Sequence, residues 1–175
     1  GTCRRQRQMC IRDSVWSAPT LDRERGLLFY GTGENYSAPA TDTSDAIFAV
    51  NIESGKRSWL KQFTAEDMYN LACNVGGANC PEQEGPDLDF GAPPLLARNS
   101  EGRELLYVGQ KSGAVSALDP STGERVWDQK FGRGGYLGGV HWGLAADIQR
   151  GLLYVPISDF PAGLDLTGVP TPGLY

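Results

Sequence analysis

A repeated segment constrains the fold of this chain more than any other feature of its sequence. Residues 49–59 match residues 117–127 position by position, with Ala, Gly, Arg and Trp identical in both copies, and the copies lie 68 residues apart. Each copy contains the end of an apolar run, a polar turn with a glycine, and a segment that ends in tryptophan. Repeats of this length are typical of folds that stack one supersecondary unit on the next.

A second pattern precedes each copy and occurs once more near the carboxyl end. It begins at an aromatic residue, Trp16, Phe90 or Trp142, and continues to a Leu-Leu-aromatic run. We interpret each unit as four strands: an aromatic opening strand, the Leu-Leu-aromatic strand, an Ala-x-Asn/Asp strand and a closing strand with Trp. Four such strands make one propeller blade. The sequence therefore predicts an all-β fold, a partial β-propeller of about two and a half four-stranded blades.

The composition agrees with this interpretation and argues against nucleic acid as a partner and against a membrane span. The 23 Gly and 11 Pro residues favour short strands joined by turns. Because propellers close with about four to eight blades, we expect the chain to form part of a larger ring. A free-standing sandwich of β-meanders is the alternative, which the constant Ala-to-Trp spacing disfavours. The net charge of -5 gives no reason to expect a nucleic-acid partner, and no apolar run reaches the roughly 18 residues of a membrane span.

The first 14 residues do not fit the blade pattern. They contain four arginines and two of the four cysteines, and they show no strand alternation. We predict that residues 1–14 are a non-native leader. The propeller domain is then predicted to occupy residues 15–175.

Two insertions and one lysine depart from the repeated pattern. Residues 33–45 and 63–90 are polar interruptions, and loops on one face of a propeller usually carry its chemistry. Lys111 lies in a Lys-Ser-Gly bend between two predicted strands. A lysine in a bend normally points to solvent, so a functional role for Lys111 depends on the residues that face it.

These motifs together resemble the pyrroloquinoline quinone (PQQ) dependent alcohol dehydrogenases, a family of eight-bladed propellers with a repeated Ala-x-Asp-x-x-Thr-Gly-x-x-x-Trp element. The resemblance covers residues 15 to about 160. Residues 31–36, Gly-Thr-Gly-Glu-Asn-Tyr, and 138–143, Gly-Gly-Val-His-Trp-Gly, are most similar to the polyvinyl alcohol dehydrogenase branch. The resemblance implies oxidation of an alcohol substrate, such as a secondary alcohol or polyvinyl alcohol, by hydride transfer to PQQ in the presence of Ca²⁺.

The resemblance implies four residues that bind the quinone. Trp16 stands where the family places an indole that stacks on the flat cofactor; a Trp that fills space between blades is the alternative. Lys111 stands where the family's lysine reaches the quinone oxygens, a place where a cation stabilises developing negative charge. His141 and Trp142 stand where the family carries an Asn-Trp pair over the cofactor. For His141, a cofactor contact ranks ahead of a proton shuttle.

The resemblance also implies a calcium site and a catalytic base. Residues 31–34 match the family's Gly-Thr-Gly-Asn, whose Asn ligates calcium, but Glu34 stands at that position and Asn35 follows it. Either side chain offers the hard oxygen that Ca²⁺ prefers, so both remain candidate metal ligands. Asp89 ends a shortened match to the family's Asp-x-Trp-Asp, and it is implied as a metal ligand and as the base that accepts the hydroxyl proton. Rival acids nearby are Glu66, Asp67 and Asp87.

The remaining expectations concern partners and location. The family passes electrons to a cytochrome c in the periplasm, and the sequence contains no Cys-x-x-Cys-His motif, so a haem domain would lie outside this chain. The oxidising periplasm implies a disulfide between Cys73 and Cys80, with free buried thiols as the alternative. Two other functions compete: a sugar-oxidising quinoprotein, and a non-catalytic propeller scaffold for outer-membrane protein assembly.

Overall fold

The structure is a computed structural model that describes residues 14–159 and 172–175. The predicted leader falls almost entirely in residues 1–13, which lie outside the described residues. In the described part the chain forms short β-strands joined by turns, with a single turn of 3₁₀ helix at Cys73–Val75. No helix in that part is long and apolar enough to cross a membrane. The strands are β1 Thr20–Asp22, β2 Leu27–Gly31, β3 Ala46–Asn51, β4 Arg57–Gln62, β5 Leu95–Arg98, β6 Glu104–Gly109, β7 Ala114–Leu118, β8 Arg125–Lys130, β9 Ala145–Asp147, β10 Leu152–Tyr154, β11 Pro156–Ile157 and β12 Gly173–Leu174.

Two four-stranded antiparallel sheets correspond to the two complete units of the repeat. One has the order β1-β2-β3-β4 and the other the order β5-β6-β7-β8. Ala49 pairs with Trp59 in the first sheet, and Ala117 pairs with Trp127 in the second. In both sheets the register shifts immediately after that alanine, which places a β-bulge at the same point of the repeat. The equivalent register confirms that the sequence repeat is a structural repeat.

The two sheets are joined by a core and by a tryptophan. The Trp59 indole N–H donates to the Pro120 carbonyl at 3.0 Å, across the boundary between the sheets. Gly123, in the same turn, has φ +74°, and a Cβ added there would lie 2.6 Å from the Trp59 ring, so glycine is needed both for the backbone and for the indole. The core between the sheets consists of Leu27, Phe29, Ile47, Ala49, Phe90, Leu106, Val108 and Leu118.

The third unit is half-built, as the sequence predicts. Strands β9 and β10 pair antiparallel, and β11 pairs with β12. One detail differs from the prediction: the aromatic residues do not lie in the opening strands, because β1, β5 and β9 begin three to five residues after Trp16, Phe90 and Trp142. In the first two units prolines separate the aromatic residue from the strand, and proline has no N–H to donate to a sheet.

Candidate cofactor and metal site

Lys111 lies in a bend between β6 and β7 and is buried. Gly113, with φ +83°, donates its N–H to the Gln110 carbonyl and closes the bend. The main-chain N–H of Lys111 donates to the Asp89 carbonyl at 3.0 Å, which ties the bend to the second insertion. The residue is only 6% exposed, so its ammonium group requires partners inside the protein.

The partners of Lys111 are two aspartates of the second insertion. Its Nζ donates to Asp87 Oδ1 at 2.8 Å and to Asp89 Oδ2 at 2.7 Å. Burial by itself lowers the pKa of Lys111, but the charges of Asp89 and Asp87 outweigh burial and leave the pKa above its ordinary value. Asp87 has φ +56°, a left-handed backbone conformation, and its carboxylate faces the same ammonium group as that of Asp89.

Glu34 joins the same cluster from the first insertion. Its main-chain N–H donates to Asp89 Oδ1 at 2.9 Å, and oxygens of Glu34, Asp87 and Asp89 lie within 4.8 Å of one another. Burial, together with the hydrogen bond and charge of Asp89, raises the pKa of Glu34 to about 9. Burial and the Asp89 charge raise the pKa of Asp87 to about 6, although Lys111 opposes the shift. For Asp89, burial raises the pKa, but the hydrogen bond from Glu34 and the Lys111 charge outweigh burial and hold it below its usual value.

These three buried carboxyl groups suit a hard cation. Glu34 Oε2 has no hydrogen-bond partner among the described residues, although it is buried. The cluster therefore offers hard oxygen ligands and more negative charge than Lys111 alone balances, which is the donor set that Ca²⁺ takes. The chemistry of the residues fits the metal that the sequence resemblance implies.

Asn35 occupies a different place from Glu34. It is fully buried, and its Oδ1 accepts the Thr41 main-chain N–H at 2.6 Å. Its Nδ2 lies 3.2 Å from the Thr41 hydroxyl. These contacts brace the first insertion. Of the two metal ligands that the sequence left open, Glu34 is the one that lies in the acidic cluster, and Asn35 as a ligand stays a prediction.

Aromatic rings adjoin the cluster. The Trp16 indole N–H donates to Asp89 Oδ2 at 3.1 Å, and Lys111 Nζ lies 5.5 Å from the centre of the Trp16 ring. The ring centres of Trp16 and His141 are 5.6 Å apart, and those of His141 and Trp142 are 4.5 Å apart. Trp16 is 40% exposed and Trp142 77%, so aromatic surface is available beside a buried cation. A flat anionic aromatic molecule fits such surroundings.

The surroundings of His141 disfavour its charged form. Burial, and then the nearby Lys111 charge, lower its pKa, while the Asp89 charge opposes the shift. Its buried Nδ1 has no hydrogen-bond partner among residues 14–159 and 172–175. A neutral imidazole with an unused nitrogen can accept or donate one hydrogen bond to a bound molecule.

The rival acids fall in three different places. Glu66 is exposed on the surface of the second insertion. Asp87 belongs to the cluster, although the family resemblance does not assign it to the site. The sequence feature that could have indicated it is an acid two positions before Asp89. Asp67 is fully buried, and its carboxylate faces the main chain of residues 87 and 88 rather than the cluster. Asp89 therefore remains the candidate base.

Asp45 forms a second buried acid beneath the cluster. It is fully buried, and its carboxyl group lies beside that of Asp67, with which it shares a hydrogen bond. Burial and the charge of Asp67 raise the pKa of Asp45 to about 10. At neutral pH it is therefore an uncharged acid.

The second insertion is closed by a disulfide. Cys73 and Cys80 are bonded, as the resemblance implied. The Tyr69 hydroxyl donates to Asn74 Oδ1 at 2.6 Å and joins the disulfide loop to the segment beside the site. The Asn70 side chain adds hydrogen bonds to the carbonyls of Tyr36 and Asn79.

Comparison with known proteins finds similar sequences among the polyvinyl alcohol dehydrogenases. No family model matches the sequence. The chain is 46% identical over 147 residues to a polyvinyl alcohol dehydrogenase from a Pseudomonas species, and 37% identical over 166 residues to one from Sphingopyxis sp. strain 113P3. These matches cover 83% and 93% of this chain but 22% and 25% of the relatives. The chain thus spans about a quarter of the length of these relatives.

Solved structures share the fold. Quinohemoprotein alcohol dehydrogenases from Comamonas testosteroni and Pseudomonas putida HK5 superpose with TM-scores of 0.61 and 0.64 at 18% and 19% identity; in both cases 83% of this chain and 26% of the other are covered. A europium-containing methanol dehydrogenase gives a TM-score of 0.60 at 20% identity, with coverage of 83% and 30%. The two sheets therefore have the fold of part of such a β-propeller, which confirms the predicted fold. Over most of its own length the chain is similar in sequence to polyvinyl alcohol dehydrogenases.

Proposed function

We propose that this chain forms part of a PQQ-dependent dehydrogenase that oxidises polyvinyl alcohol or related secondary alcohols. One observation carries the proposal. The Asp89 carboxylate receives the Lys111 ammonium, the Trp16 indole N–H and the Glu34 main-chain N–H, at distances of 2.7 to 3.1 Å. These donors come from three separate parts of the sequence, and they fix one buried carboxylate beside an aromatic surface. The names of the relatives support the choice of substrate.

The residues divide into those that would hold the quinone and those that would hold the metal. Trp16, His141 and Trp142 provide the aromatic surface for PQQ, and Lys111 provides the positive charge next to it. Glu34 and Asp89 would ligate Ca²⁺, with Asp87 as a third carboxylate and Asn35 as the remaining candidate. When bound, the quinone supplies the hydride acceptor and the calcium ion acts as a Lewis acid.

Asp89 would take the hydroxyl proton of the alcohol. A general base must be ionised at the working pH, and the depressed pKa of Asp89 keeps it as a carboxylate although it is buried. Its Oδ2 lies on the side of Trp16 and Lys111, so we assign Oδ2 as the atom that accepts the proton. Lys111 and the Trp16 indole N–H hold this oxygen in place.

The electron acceptor and the compartment follow from the same proposal. A reduced quinone must pass its electrons to another molecule, for which we propose a cytochrome c. The Cys73–Cys80 disulfide fits an oxidising compartment such as the periplasm.

The test uses the full-length protein of which these blades form a part. After addition of PQQ and Ca²⁺, we expect reduction of an artificial dye with polyvinyl alcohol and with secondary alcohols, and much slower reduction with glucose. A preference for glucose would indicate a sugar-oxidising quinoprotein. Failure to bind PQQ, measured by absorbance after gel filtration, would contradict the enzymatic function and leave the scaffold as the explanation.

A further inference from the structure

Asp67 is a fully buried acid that does not belong to the acidic cluster. Its Oδ1 accepts the main-chain N–H of Asp87 at 3.1 Å, and its Oδ2 accepts that of Leu88 at 2.9 Å. One carboxylate thus receives two consecutive N–H groups from the loop that carries the cluster acids. Hydrogen bonds to an ionised acceptor are about twice as strong as neutral ones.

The loop that Asp67 contacts has a conformation that requires support. Asp87 has φ +56°, a left-handed conformation that is unfavourable for a residue other than glycine. Consecutive N–H groups around a left-handed residue form a concave site that favours an anion, and the Asp67 carboxylate occupies that position. The Asp67 carboxyl group therefore stabilises the backbone conformation in which Asp87 and Asp89 both contact Lys111.

The segment that carries Asp67 also holds the other half of the cluster. The Asp67 carbonyl accepts the Asn35 N–H at 3.0 Å, and Tyr69 donates its N–H to the Asn35 carbonyl at 2.9 Å, so the residue after Glu34 is held on both sides. Gly85 donates to the Met68 carbonyl at 2.8 Å on the opposite side. The short segment 67–69 lies between the two loops that supply Glu34, Asp87 and Asp89, and it fixes their separation.

The fit around the carboxylate is close. A Cβ added at Gly85 would overlap the Asp67 side chain and its backbone, so the loop packs directly against this acid. Since there is no spare volume, a longer side chain or a shifted loop would not preserve both hydrogen bonds.

We propose that Asp67 is a positioning residue: it clamps the main chain of residues 87 and 88 and thereby sets the spacing of the carboxylates that would bind the metal and accept the proton. This role rests on the proposed function, but the clamp itself concerns only residues of this chain. Groups that hydrogen-bond to metal ligands and orient them typically change the metal affinity by about 10- to 100-fold when they are removed.

The test compares Asp67→Asn with Glu66→Gln in the full-length protein. Both changes remove one negative charge at neighbouring positions, but only the first places an NH₂ group against the N–H of residue 87 or 88. Calcium binding to the quinone-free protein, followed by calorimetry, should weaken at least about tenfold in Asp67→Asn and stay within about twofold in Glu66→Gln. With both cofactors saturating, kcat should fall while KM for the alcohol stays nearly constant, because Asp67 touches no substrate.

Hydrogen exchange separates this inference from the proposed function. The amides of residues 87 and 88 should exchange at least about tenfold faster in Asp67→Asn than in the parent protein, whether or not the protein is an alcohol dehydrogenase. If the parent bound neither Ca²⁺ nor PQQ while the amides still lost protection, the proposed function would fail and the clamp would stand. Unchanged exchange and unchanged calcium affinity would overturn the inference. Loss of the folded state in Asp67→Asn would also overturn it, since Asp67 would then serve the stability of the whole fold.

Discussion

The two complete blades share strand order, register and bulge position, but they differ at the bend after the Leu-Leu-aromatic strand. In the first blade β2 leads into a long insertion that carries Glu34, whereas in the second blade β6 leads into a short bend that carries Lys111. The corresponding connections of the two blades thus supply a carboxyl group and an ammonium group, and both Glu34 and Lys111 contact Asp89. The repeated residues build the scaffold, and the candidate site is built where the two copies diverge.

The largest effect is expected at Asp89, which contacts both bends. In the full-length protein, Asp89→Asn should lower kcat by about 10²- to 10⁴-fold, because the amide cannot accept the hydroxyl proton. Dye reduction with a secondary alcohol at saturating PQQ and Ca²⁺ measures this loss. Asp128→Asn, an exposed acid on β8, is the control and should retain full activity. Activity of Asp89→Asn within tenfold of the parent would remove Asp89 from the role of base.

The next largest effect is expected when Lys111, which the second blade contributes to the cluster, is replaced. Lys111→Met should destabilise the protein by about 3 to 5 kcal/mol, because Asp87 and Asp89 would remain buried without their cation. Urea unfolding measures the change. The control, Lys130→Met on the exposed face of β8, should shift stability by less than about 0.5 kcal/mol. Equal stability of the two variants would show that the buried pairs are not needed.

A smaller effect tests the tryptophans that occupy the same place in each blade. In the isolated chain Trp59→Ala should cost about 2 to 4 kcal/mol, since its ring packs on the turn of the next blade. Trp127 is 38% exposed and has no such partner among the described residues, so Trp127→Ala should cost less than about 1 kcal/mol. In the full-length protein the two costs should converge, because a following blade would cover Trp127. Thermal unfolding of both variants in both proteins provides the comparison.

The smallest effect concerns Glu34, the acid that the first-blade insertion contributes to the cluster. The folded protein raises the pKa of Glu34 from 4.5 to about 9, so without metal the folded state keeps a proton that the unfolded state releases. The stability that depends on this proton is fully present below pH 4.5 and is lost as pH rises through about 9. Glu34→Gln should remove this dependence and raise stability at pH 8 by about 1 to 2 kcal/mol relative to the parent.

Calcium provides the control for Glu34. The ion requires the ionised carboxylate, so in the parent protein calcium affinity should increase as pH rises toward 9, while Glu34→Gln should bind calcium weakly at every pH. Melting temperatures measured from pH 5 to 9, with a chelator and with Ca²⁺, test both statements. A parent protein whose metal-free stability does not fall over this range would contradict the raised pKa.

The sequence predicted the parts of the molecule that repeat. The Ala-to-Trp segments predicted the blades and their register. A shift of one residue in the strand pairing would turn the apolar face of a strand outward, so the register is well defined. The family resemblance brought Trp16, Lys111 and His141 to one place. It did not indicate the role of Asp87, because the pairing of two acids with one buried lysine is a contact between distant parts of the sequence that only the fold shows. Nor did it separate Glu34 from Asn35, because only the fold shows that Thr41 binds the Asn35 carbonyl oxygen.

The contact between Trp59 and the turn at Gly123 gives the assembly a direction. The first blade presents Trp59, and the second blade presents the glycine turn that receives it. A substitution in this turn should therefore disturb the blade that precedes it in the sequence. A Gly123→Ala chain should show its first loosening in β4 rather than in the strands beside residue 123.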